Sequence, residues 1–214
     1  MVAFPTQNDY WDAVADKKGF TTPFQMELFR QYVAPESSIL DVGCGYGRTL
    51  SELYNQGYTD LCGVDFSAPM IRRGRERYPH LSLCHHPDAE LPFPDNHFDA
   101  VILLAVLTCI ADDAAQTFLL KELRRVLKPG GVLYINDFLL NQDQRNVDRY
   151  ERFEKVHGQY GIFQLDEGAV LRHHTEERVR ELTAPFRCLH YAKTVYRTMN
   201  GHTSNGFYFL GRKT

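Results

Sequence analysis

The chain has 214 residues, 43% of them hydrophobic, with 24 Lys and Arg against 27 Asp and Glu and a formal net charge of -3. That length supports one domain with a real core, and the balance of charge argues against a duplex nucleic acid as partner. No apolar run approaches the roughly 20 residues that span a bilayer, and the opening MVAFPTQNDYWD lacks the basic and apolar regions of a secretory leader, so a cytoplasmic protein without a membrane role is expected.

Asn8 and Asp9 cap a short helix through Ala15, broken at Gly19. Thr22-Pro23 reads as a cap followed by proline at the first helical position, opening a helix over 22–32 with Phe24, Leu28 and Tyr32 on one face. A strand over 38–42 follows, then a glycine turn and a helix over 48–56 that Gly57 ends. The second strand, 61–64, ends at Asp65. Ser67 caps the next helix, whose Arg72, Arg73, Arg75, Glu76 and Arg77 read as a solvated face, because no aromatic residues interleave as a stacking surface.

A short third strand covers 81–84. The nearly continuous apolar run 98–107 predicts a strand covered on both faces. A helix over 112–127 is expected to bury Phe118, Leu119, Leu123 and Val126 and to end at Pro129-Gly130-Gly131. The fifth strand is 132–136. Short connections between alternating strands and helices specify a parallel α/β sheet, doubly wound. The regularity then breaks: a polar helix over 141–158, a small hairpin within 161–174, a helix over 175–182 capped by Thr175, and strands over 187–198 and 207–211 that finish the sheet antiparallel. The five cysteines are dispersed and never form a CxxC pair, which points to reduced thiols and to no metal site.

The stretch ILDVGCGYGRTL, residues 39–50, gathers the chemistry. A buried strand ends in a tight turn at Gly43, Gly45 and Gly47 and passes into a helix, the local architecture of a nucleotide-like site. Asp65, at the end of the second strand, is placed to accept ribose hydroxyls. Asp88-Ala89 lies where a base would fall. The loop is GxGxG with Asp41 two residues before the first glycine. Packing a pyrophosphate asks for no carboxylate there, whereas a ligand with a cationic amino group does.

With these residues in register, the segment 39–138 resembles the core of class I S-adenosylmethionine-dependent methyltransferases, of the small-molecule type. ILDVGCGYG resembles their first motif and CGVDFSAPMI the second. PDAELPFPDNHFDAVILLAVL resembles the adenine turn and fourth strand, and LKELRRVLKPGGVLYINDF the helix and fifth strand. The resemblance implies a mostly parallel seven-stranded sheet with an antiparallel last strand. It implies S-adenosylmethionine as cofactor and S-adenosylhomocysteine as product. It also assigns cofactor roles. Asp41 lies near the methionine amino group. Gly43, Cys44, Gly45 and Gly47 admit the ligand to the backbone, and Asp65 takes the ribose. Phe66 and Met70 flank the adenine, Asp88 and Ala89 read its edge, and Leu104 and Ala105 floor the methionine portion.

The expected division is a helical cap at 1–35, a cofactor core at 36–137, a lid insertion at 138–175 and a C-terminal helix and strand pair at 176–214. Tyr10 and Trp11 either line the site or staple the first helix to the domain. His173 and His174 are candidate bases, as is Asp137 at the end of the fifth strand. Arg172 either holds an anionic substrate group or pairs with Glu167 or Glu176. The fourth strand ends LLAVLTCI, without the [DNS]PP[YFW] segment of amino-methylating nucleic-acid enzymes, so a small-molecule methyl acceptor is expected. An RNA-modifying enzyme that needs a partner protein, and a non-catalytic cofactor-binding protein, remain the alternatives. The sequence leaves the oligomeric state open.

Overall fold

The apolar runs assemble into one sheet. In the computed structural model, which describes residues 7–214, β1 (Ile39–Val42), β2 (Leu61–Asp65), β3 (Ser82–His85), β4 (Phe98–Leu104) and β5 (Leu127–Phe138) are parallel. Residues 1–6 of the expected helical cap lie outside the described residues. A separate hairpin pairs β6 (Ile162–Gln164) with β7 (Val170–Arg172), as the sequence predicts. β8 (Phe186–Arg197) and β9 (Thr203–Lys213) complete a seven-stranded sheet in the order β3-β2-β1-β4-β5-β9-β8, with β9 antiparallel to both neighbours.

The helices are α1 (Gln7–Val14), α2 (Met26–Phe29), α3 (Arg48–Tyr54), α4 (Ala68–Arg77), α5 (Asp113–Val126), α6 (Gln144–His157) and α7 (Glu176–Thr183). Strand side chains alternate between two cores. Leu40, Val101, Leu103 and Leu133 pack with Leu120 and Leu123 of α5 and Val179 and Leu182 of α7. Ile39, Ile102 and Tyr134 pack on the opposite face with Leu50 and Leu53 of α3 and with Phe24 and Phe29. The chain order reverses between β1 and β4, and the crevice beyond the C-terminal ends of these strands is where ligands bind in such sheets.

Several local expectations change. The helix over 22–32 shrinks to the single turn α2. The carbonyls of Thr22 and Pro23 accept from Arg48 and Asn136 instead, so this segment satisfies its backbone outside a helix. The fourth strand stops at Leu104, because Ala105 adopts φ +57° and leads into a 3-10 turn at Leu107–Cys109. The fifth strand starts at Leu127 and runs through the Pro-Gly-Gly segment. Phe118 is 41% exposed rather than buried. The arginine-rich face of α4 is only partly solvated: Arg73 donates to the carbonyls of Ala15 and Lys18, and Arg75 to that of Leu83. The predicted caps Ser67 and Thr175 accept from the amides of Met70 and Arg178.

Candidate cofactor and acceptor site

A cavity of about 860 Å³ opens above the ends of β1, β2 and β4, within the range of small-molecule pockets. One end is built by the glycine turn. Gly43 and Gly45 hold φ of +73° and +55°, and a Cβ on either would collide with Val106 or with the ring of Phe20. Both Asp65 oxygens are fixed by backbone amides, from Gly45 and Ser67, each at 2.8 Å. Burial pushes its carboxyl up against those two bonds. Asp41 is only 2% exposed and faces the same space. No hydrogen bond from a described residue reaches its carboxylate, and burial drives its pKa up to about 8 despite the pull of Arg48. A buried carboxylate without a donor is an unmet demand for a cation. Cys44, Phe66, Met70, Asp88, Ala89, Leu104 and Ala105 also line this end.

The other end lies under α1, α6 and the β6–β7 hairpin. Its walls include Trp11, Phe138, Phe163, Leu171 and His173. The His173 ring stacks on Phe138 and meets Phe163 edge-on. The Tyr150 hydroxyl accepts the Asn141 backbone amide and lies 2.5 Å from His173 Nδ1 and 3.5 Å from Asn146 Oδ1. Asn141 Nδ2 lies 3.1 Å from the same nitrogen. Nδ1 is therefore the acceptor, which leaves the neutral ring its proton on Nε2. Burial, reinforced by Arg149, holds the His173 pKa well below the usual value.

Helix α1 straps this end shut. Gln7 exchanges two hydrogen bonds with the backbone of Val170, and the Tyr10 hydroxyl and Lys18 both reach Glu167. On the other side Ser67 donates to Asp12 at 2.6 Å.

The model of the Methyltransferase domain family matches residues 40–135. The solved structure of a SAM-dependent methyltransferase from Methanosarcina mazei is 25% identical, covers 90% of this chain and 98% of its own, and gives a TM-score of 0.84. Residues 40–135 thus form a methyltransferase domain, on the fold of a SAM-dependent methyltransferase. A demethylmenaquinone methyltransferase from Lysinibacillus sphaericus is 33% identical over 158 residues, 68% of this chain and 64% of that protein. A probable tRNA methyltransferase 9B from Bos taurus is 33% identical over 127 residues, 59% of this chain and 27% of that protein. The chain thus spans under two thirds of the one relative and about a quarter of the other. No helix among the described residues is long and apolar enough to cross a membrane.

Within this methyltransferase framework, the cofactor residues read from sequence come together except Gly47. That glycine is the αL cap of α3, packed on Leu81 and Leu83 outside the cavity. Tyr10 and Trp11 line the cavity, and Tyr10 is also a staple through Glu167. Of the three candidate bases only His173 faces the cavity. Asp137 is fully buried behind the wall, where it accepts the amides of Thr108 and Phe138; burial raises it to about 7. His174 is held between Gln116 and the Phe138 carbonyl. Arg172 pairs with Asp113 at 2.6 Å and with the Ala111 carbonyl, not with Glu167 or Glu176, and takes no part in the lining. Sequence reading passed over Arg145, Arg149, His202 and Phe118 as lining residues. The i, i+4 spacing of the two arginines was the available signal.

Proposed function

We propose that this protein binds S-adenosylmethionine in the cavity and transfers its methyl group to a small molecule. The observation that carries the reading is Asp41, a buried carboxylate facing the glycine turn with no donor of its own. A ligand ammonium fits that demand. The collision that a Cβ at Gly43 or Gly45 would cause shows how closely the turn is packed, and its Gly43, Cys44 and Gly45 amides fix it by donating to Val64 and Asp65. Asp65, pinned by two amides, offers its remaining lone pairs to a diol, and Asp88 and Ala89 border the space for a base.

When bound, S-adenosylmethionine supplies a methyl group on a positively charged sulfur, ready for in-line displacement. The chain's own part is orientation and exclusion of water. Trp11, Tyr10 and Phe20 give aromatic faces suited to a cation. His173 presents an N–H donor to the acceptor end rather than a lone pair, so it orients the acceptor. Small-molecule transfer is favoured over RNA modification by the latched strap over the acceptor end, which encloses the pocket.

Calorimetry with S-adenosylhomocysteine tests the cofactor map. Asp65→Ala removes a charge-assisted acceptor pair and is expected to weaken binding by roughly 100-fold; wild-type affinity in that variant refutes the map. Incubation with labelled cofactor and either a metabolite extract or bulk tRNA tests the acceptor class. Label confined to low-molecular-weight products supports the reading, and label in tRNA overturns it.

A further inference from the structure

The carboxylates lining the cavity gather at one end, where the cation beside them, Arg48, is paired with Glu52. These carboxylates, Asp41, Asp65 and Asp88, belong to β1, to β2 and to the loop after β3, all on the cofactor side. The acceptor side carries Arg145 and Arg149, one turn apart on α6, together with His202 and the Nε2–H of His173. The Arg149 guanidinium carbon sits 3.5 Å from the centre of the Phe163 ring, and its Nε is buried without a partner. Among the described residues no carboxylate comes within ion-pair distance of Arg149. Arg145 reaches only Asp143, at 3.8 Å, a side chain 52% exposed and outside the lining of this cavity.

A guanidinium pressed on an aromatic face and left without a counter-ion is a prepared anion site. Its planar fork matches carboxylate and phosphate oxygens. Burial also pulls the Arg149 pKa down; the Tyr150 hydroxyl and, more weakly, Asp143 oppose this, while Arg145 adds to it. An anion bound there would relieve the repulsion between the two arginines.

We propose that the methyl acceptor carries a carboxylate or phosphate group that Arg149 and Arg145 hold at the far end of the cavity. This rests on reading that end as the acceptor pocket of a methyltransferase. The anion would anchor the molecule, with His173 donating to it or to a neighbouring oxygen, while the nucleophilic atom points back toward the glycine turn.

The test uses the full chain saturated with S-adenosylhomocysteine and three probes of similar shape: benzoate, phenyl phosphate and benzamide. Calorimetry on wild type is expected to show at least one anion binding about tenfold tighter than the amide, and which anion wins tells carboxylate from phosphate. Arg149→Gln is expected to abolish that preference and to leave S-adenosylhomocysteine affinity unchanged, which also shows that the variant is folded. Arg145→Gln, on an exposed residue, is expected to reduce the preference by a smaller factor. Equal binding of amide and anions, or a preference that survives in Arg149→Gln, overturns the assignment. Failure of S-adenosylhomocysteine to bind wild type overturns the cofactor reading instead, so the two failures are distinguishable.

Discussion

Asp41 should report ligand binding as a released proton. Burial raises its pKa to about 8 in the ligand-free protein. At pH 7 the carboxyl is therefore about 0.9 protonated. Docking of an ammonium favours the ionised form, so binding of S-adenosylhomocysteine at pH 7 releases up to about 0.9 proton from this residue. The coupled deprotonation makes affinity climb about tenfold per pH unit below pH 8 and level off above it. Stability runs the other way. The folded pKa lies above the unfolded value of 3.8, so the unfolded chain gives up its proton first as pH rises. The stabilisation present in acid is lost at about 1.4 kcal/mol per pH unit until pH passes the folded pKa. Asp41→Asn removes both effects: the ligand-free variant is expected to be more stable than wild type at pH 8 and to bind ligand more weakly. Calorimetric titrations in buffers of different ionisation enthalpy give the proton count directly. Asp65, also shifted upward, contributes to both proteins, so the difference between them isolates Asp41. Equal proton release from wild type and Asp41→Asn would refute the reasoning.

Gly45→Ala is expected to lower thermal stability by about 1–3 kcal/mol, because φ is +55° and the new methyl meets Phe20. Gly57→Ala, at φ +93° with open space around it, shares the backbone strain without the collision. Scanning calorimetry on the pair separates the two contributions, and only Gly45→Ala should also weaken S-adenosylhomocysteine binding. His173→Gln tests the donor role. With the ring neutral and its Nδ1 lone pair facing the Asn141 amide, turnover at saturating cofactor should show no break between pH 5.5 and 7.5 that the substitution removes. A break abolished by His173→Gln would restore the imidazole as base.

The cofactor half was legible because its chemistry is local. Asp41, Gly43, Gly45 and Asp65 sit at strand ends, where period, turn and cap signals agree, and short connections fix the strand order. The helix over 22–32 failed for a tertiary reason: Arg48 and Asn136 claim carbonyls that a helix would have used. The acceptor half was harder, because direction decides it. Arg172, His173 and His174 are consecutive, yet the strand pleat and the bridge from Leu139 to His174 turn only His173 to the cavity. Residue type marked all three as chemical; only the path of the backbone from the end of β7 to the Leu139–His174 bridge distinguishes them.

The residues that sequence marked as reactive but that lie behind the wall form the frame for the acceptor end. Asp137 accepts the amide of Thr108, and the Thr108 hydroxyl donates to the Arg172 carbonyl. Arg172 grips Ala111 and Asp113, and Gln116 joins Ile110 to His174. This chain of bonds ties the 3-10 turn after β4, the start of α5 and the β7 strand into one polar block. Because Thr108, Gln116, Asp137, Arg172 and His174 are buried, loss of any one of these leaves a partner unsatisfied at a cost of about 1–3 kcal/mol. A substitution at Asp137 would therefore disturb the position of Thr108, Cys109 and Ile110 in the cavity wall and impair turnover without the residue touching a ligand. Loss of activity in such a variant cannot by itself identify a base. The ligand-free stability must be measured beside it, because a frame residue lowers both together while a residue acting only on the substrate lowers turnover alone.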